Sequence, residues 1–271
     1  MKFSYLAIIV VLIAISAGIT ICSDYNEQET NMLLMDPPAF QLTNHIEKIC
    51  GQKVSWKVAT DPSHHDNMAG AMFEGCNPVV LLNIPPQDIP SDVIFHELLH
   101  LYLMASNKIY ISAYASPLYD HLISQISHED KLLEVFLHAH SILHHTYIFP
   151  KMVEAGYHVS DSFKRFDDID KYPFYEEVVS DFHVAIDAWH MKAGQVDDSL
   201  KMGNYLNNIR DQFPRQFETG LRLYASAKSF DSPEKEPEVF SEIIRELFSY
   251  DGEIHYAKGN RGSACNIMAY Y

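Results

Sequence analysis

The sequence predicts an α+β chain, with a small sheet-bearing amino-terminal half and a largely helical carboxyl-terminal half. Three observations carry that expectation. Residues 53–60 (KVSWKVAT) alternate in the manner of a half-buried strand, and residues 78–84 (PVVLLNI) form a short β-rich apolar run closed by Pro85-Pro86. An apolar stretch over 93–104 follows, with Ser91 or Asp92 placed to cap a helix. From about Pro117 onward the periodicity is helical, in segments near 130–149, 173–192, 197–226 and 235–249, broken at Pro150, Gly194, Pro214 and Pro233. Strands followed by helices, rather than an alternation of the two, give α+β.

The first residues read as a targeting segment. Met1-Lys2 precedes an apolar, uncharged run over 3–22, the order of a secretory signal, and Ala14-Ile15-Ser16 fits a small-x-small cleavage pattern. At about 20 residues the run is also long enough to cross a bilayer. Residues 1–23 are therefore a signal peptide or a membrane anchor, and residues 24–271 a single domain exported to the periplasm or the medium. Residues 24–30 read as a loose polar leader. Four cysteines suit an oxidising compartment; Cys50 and Cys76 flank the first strand and are candidates for a bridge, while Cys22 and Cys265 have no evident partner. With 36 acidic against 20 basic residues, the chain repels phosphate backbones, which excludes nucleic acid as an expected partner.

The chemistry sits at His96-Glu97-Leu98-Leu99-His100. Residues four apart on a helix lie on one face, so His96 and His100 can present two imidazole nitrogens to one metal. Glu97 lies beside them, within reach of a water on that metal. This is the spacing of zinc hydrolases, in which the metal brings the pKa of water to about 7 and polarises a carbonyl. The surrounding residues, Val93, Ile94, Phe95, Leu98, Leu99, Leu101, Tyr102 and Leu103, make the helix apolar nearly all round, which predicts burial. A core helix with satisfied histidines is the competing reading. It must accommodate a buried Glu97, and an unpaired buried carboxylate costs several kcal/mol unless it finds a partner, roughly as for any isolated charge.

Through residues 93–102 and the strand before them the chain resembles the zincin superfamily of zinc metallopeptidases. The resemblance implies a zincin-like fold, Zn2+ as cofactor, an edge strand at 78–84 against which an extended peptide lies, and a third metal ligand further along. Metzincins continue as HExxHxxGxxH, whereas Leu103 and Ser106 stand at the glycine and third histidine here. Asn266-Ile267-Met268-Ala269-Tyr270 looks like a metzincin Met-turn without that histidine. Glu176-Glu177-Val178-Val179-Ser180-Asp181 resembles the gluzincin helix in which the glutamate, here Glu177, binds zinc and the aspartate steadies a zinc-bound histidine. The stretch LHAHSILHH over 137–145 resembles one seen in uncharacterised HExxH proteins and offers His145 or His144 instead. The third ligand is thus His145, Glu177 or His144.

On that same stretch His138 and His145 share one helical face and His140 and His144 another, so the latter pair is itself a candidate metal-binding pair. His158, His183, Tyr157 and Tyr175 are candidate oxyanion donors, and His64-His65-Asp66 reads as a solvated loop. The expected function is an exported zinc metallopeptidase with Glu97 as general base, acting on a peptide or protein. The alternative is a catalytically silent zincin-like protein that binds zinc or a partner.

Overall fold

A computed structural model of the chain describes residues 25–28, 35–59, 68–74, 77–106, 109–111, 116–126, 129–159, 181–197, 200–254 and 256–258. The architecture is mixed α+β and mostly helical. The described residues fall into two compact units, one ending at Lys108 and one spanning Ile109–Lys258. The segment 3–22 lies outside the described residues; within them no helix is long and apolar enough to cross a membrane.

The first unit is built on a three-stranded core of sheet. Strands β2 (Ser55–Ala59), β3 (Ala69–Glu74) and β4 (Asn77–Leu82) lie in the order β2-β4-β3, and a short strand β1 (Tyr25–Gln28) extends it beside β2. β4 runs parallel to β2, with Ser55 opposite Val79 and Val58 opposite Leu82, and antiparallel to β3, with Ala69 opposite Leu82 and Glu74 opposite Asn77. Residues 25–28 are thus a strand, antiparallel to β2, and not a loose leader. The expected edge strand at 78–84 is also corrected: β4 is interior, and β3 takes the edge. The reason is legible in the residues. Val79, Val80 and Leu82 are fully buried and Leu81 nearly so. A strand apolar at every position is buried on both faces, which an interior position provides.

Helix α1 (Pro37–Cys50) precedes β2. Asp36 caps it, its carboxylate accepting from the Ala39 N–H at 3.1 Å, and Pro37 supplies a pre-set first turn. It ends at Gly51, whose φ of 69° lets its N–H reach back to the Glu47 carbonyl at 2.8 Å. Cys50, at the last turn, is a free thiol among the described residues, and burial raises its pKa. Cys22, Cys76 and Cys265 lie outside the described residues.

In the second unit, β5 (Ile109–Ile111) and β6 (Tyr256–Lys258) pair as a two-stranded antiparallel ribbon, where the sequence carries no strand signal. Between them come α3 (Ser116–Gln125), α4 (Glu129–Glu154), α5 (Asp181–Ala193), α6 (Leu200–Gln212), α7 (Pro214–Ala227) and α8 (Glu236–Phe248). The breaks expected at Gly194, Pro214 and Pro233 are present as a short 3-10 turn, the start of α7 and a second 3-10 turn. Pro150 is a correction, because α4 runs through it to Glu154. Pro150 itself is exposed while Phe149 and Met152 beside it are buried, and burial of those two side chains offsets the lost backbone hydrogen bond.

Helices α5 and α7 approach each other closely at Gly220. A Cβ there would stand 2.5 Å from the Ala185 carbonyl oxygen and 2.6 Å from the Ala188 Cβ. Alanine favours a helix over glycine by about 1 kcal/mol, but a clash with backbone cannot be relieved by a side-chain rotation. Gly220→Ala should therefore lower stability by about 1–3 kcal/mol in urea denaturation, separating two helices that the glycine allows to touch.

Candidate metal centre

Helix α2 (Ser91–Ser106) carries the motif. The Pro90 carbonyl accepts from the Val93 and Ile94 N–H groups at 3.1 and 3.3 Å, which fixes where the helix starts. α2 packs on α1 and against β3 and β4, so it is covered from several sides. Leu98, Leu101 and Leu103 are fully buried and Ile94, Phe95 and Leu99 almost so, as the all-round apolar pattern predicts.

This burial encloses the ionisable groups too. His96 and His100 are 9% and 8% exposed, and their rings lie 4.9 Å apart at 61°. Their Nε2 atoms approach to 3.1 Å, so both nitrogens turn to one point in space. Desolvation pushes the His96 pKa down to about 4, leaving a neutral imidazole with a lone pair to give. Desolvation pushes the Glu97 pKa up to about 8, although its side chain keeps some surface. Two imidazole nitrogens converging inside an apolar shell fit a borderline cation such as zinc, which binds histidine nitrogen at about 2.0–2.1 Å. A cation there would also favour the ionised form of Glu97.

The other candidates lie on α4 in the second unit. His145 Nδ1 is 3.0 Å from His190 Nε2, and the two rings stack at 4.8 Å, with Phe149 stacked on both. His144 is 1% exposed and turns with His140 toward Glu236, at 3.3 and 2.6 Å respectively. Burial lowers the His144 pKa against the opposing pull of Glu236. Burial alone would raise the Glu236 pKa, but the two histidines win and hold it ionised, well below the ordinary carboxylate range. Glu177, the third candidate, lies outside the described residues, as do Tyr175, His64, His65, Asp66 and the Met-turn-like 266–270.

Of the candidate oxyanion donors, His183 is buried in the helical unit, 3.6 Å from Glu134, and His158 is exposed. Neither is placed beside the motif by anything in its own unit. Sequence reasoning missed Glu236 and His190. Glu236 follows Lys235 and precedes Pro237 at the start of a helix, a context that ordinarily means an exposed acid; only the packing of α8 buries it. His190 sits on α5 within an apolar run, where no spacing singles it out.

No family model, curated protein or solved structure matches this chain.

The orientation of α4 against α5 also rests on a buried hydrogen bond, from Trp189 Nε1 to Thr146 Oγ1 at 2.9 Å. Thr146→Val keeps the shape but leaves the indole N–H buried without its acceptor. The variant should lose about 1–3 kcal/mol in chemical denaturation, whereas Thr146→Ser, which keeps the oxygen, should lose less.

Proposed function

We propose that this protein is an exported zinc-dependent metallopeptidase, the reading first suggested by its resemblance to zincins. The observation that carries it is the pair of buried imidazoles, His96 and His100, with Nε2 atoms 3.1 Å apart on a helix that also bears Glu97. A helix of this kind has no structural need for three ionisable groups in its apolar middle. Zinc, when bound, supplies a Lewis acid and makes water acidic enough to be deprotonated near neutral pH.

The residues of the chain do the rest. His96 and His100 hold the metal, joined by a third ligand that the sequence restricts to His145, Glu177 or His144. Since His144 is already engaged with Glu236 and His140, His145 and Glu177 are the stronger pair. Glu97 takes the proton of the attacking water and returns it to the leaving amine. The burial of Leu98, Leu99 and Leu101 beside the histidines excludes bulk water, and desolvation keeps His96 neutral. Strand β3, with a neighbour on one side only among the described residues, offers free backbone groups to which an extended peptide can add. Export follows from the apolar run over 3–22.

The test separates binding from chemistry. Glu97→Gln should keep about one zinc at this site, measured by elemental analysis, while cleavage of a quenched fluorescent peptide library falls by roughly 10²–10⁴-fold. His100→Ala should lose that zinc, and so should one of His145→Ala and Glu177→Ala, which names the third ligand. A Glu97→Gln protein that cleaves as fast as the unmutated one would end the peptidase reading, whatever its zinc content.

A further inference from the structure

The helical unit holds a cluster that the proposed peptidase chemistry does not use. His140 and His144 lie one turn apart on α4, with ring centroids 4.5 Å apart, and Glu236 faces them from the first turn of α8. One nitrogen from each histidine and a carboxylate oxygen of Glu236 all fall within 4.8 Å of one another. We propose that His140, His144 and Glu236 form a second divalent-metal site, one that clamps α4 to α8 and takes no part in hydrolysis.

Three features favour a cation over a plain hydrogen-bonded cluster. Both Nε2 atoms converge on the same oxygen, Glu236 Oε1, at 2.6 and 3.3 Å, instead of sharing the two oxygens between them. The other oxygen, Oε2, is buried without a hydrogen-bond partner among the described residues, although Glu236 is only 3% exposed. An unsatisfied buried acceptor costs about 1–3 kcal/mol, and a cation bound by both carboxylate oxygens would remove that cost. The separations also suit one ion, since ligands at about 2.1 Å in a tetrahedral set stand roughly 3.4 Å from each other.

The surroundings define the class of ion and its role. Phe240 lies against the His140 ring at 5.1 Å and Phe230 along His144 at 6.4 Å, an apolar shell that keeps competing water out of the cluster. Two imidazoles and one carboxylate select a borderline transition ion, of which Zn2+ is the most available, over Mg2+ or Ca2+, which want oxygen ligands. The residue after the first histidine is Ser141, where the α2 motif has Glu97. Ser141 offers no carboxylate base to a water at that position, so the role proposed for this site is to join two helices rather than to activate water for peptide cleavage. His140 is the most exposed of the three, with a quarter of its side chain open to solvent, and gives the ion a way in.

The proposal is independent of the α2 site, and the experiment keeps the two apart. Zinc per chain is measured by elemental analysis after dialysis, for the unmutated protein and for His140→Gln, which keeps a side-chain N–H able to donate to Glu236 but loses the imidazole. Glu236→Gln is the second variant, read the same way if the first fails to fold. The expected result is a loss of about one zinc per chain in either variant, together with a smaller rise in melting temperature on adding zinc than the unmutated protein shows. The absolute count then reports on the α2 site: a fall from two to one means both sites bind, and a fall from one to zero means only this one does. Equal zinc in the folded variant and the unmutated protein would overturn the proposal.

Discussion

The first unit is organised around a single costly placement: two histidines and a glutamate on a helix buried by its neighbours. Desolvation forces two of these groups toward their neutral forms, His96 with a pKa near 4 and Glu97 near 8. Such a helix is stable only where a sheet and a second helix cover it with apolar surface, and β3, β4 and α1 provide that cover. The same cover suits His96 to the proposed metal role, because a histidine held neutral has a lone pair to donate. On the proposed reading, stability and metal affinity would come from one arrangement, so a change to one would change the other.

Helix α4 shows a different use of the same residue. Its histidines divide by helical face, as their spacing dictates. His138 and His145, seven apart, turn to α5, where they meet Asp187 at 3.7 Å and His190 at 3.0 Å. His140 and His144, four apart, turn to α8 and Glu236. One helix therefore docks on two neighbours through polar contacts set in an otherwise apolar surface. A pairing of this kind specifies the register of the helices more sharply than leucine packing does, because a one-turn slip would leave charged groups buried without partners.

Much of this arrangement could be read from the chain. The alternation in KVSWKVAT and the run PVVLLNI mark β2 and β4 within two residues, and the all-round apolar stretch after Ser91 marks α2 and its burial. The breaks expected at Gly194, Pro214 and Pro233 each fall where one helical segment gives way to the next. The failures have physical causes. β3 is hidden because Ala69-Gly70-Ala71 has neither β-branched residues nor alternation; it is a strand only because β4 pairs with it. Pro150 reads as a break, yet tertiary burial of Phe149 and Met152 overrides the local penalty. Glu236 is invisible as a site residue because its partners lie about a hundred positions away, and nothing local distinguishes a buried acid from an exposed one at a helix start. The helix α1 was likewise unread, although Asp36 and Pro37 form an ordinary start signal.

The measurement that bears most directly on the account is anomalous X-ray diffraction at the zinc edge, on crystals of the unmutated protein grown with zinc. A strong anomalous peak within bonding distance of both His96 Nε2 and His100 Nε2, with Glu97 beside it and outside that distance, is the predicted result. The same map would identify the third ligand by inspection. A crystal in which the two imidazoles hydrogen-bond only to protein atoms, with no anomalous scatterer between them, would contradict the account and leave α2 as a core helix whose histidines are satisfied by their neighbours.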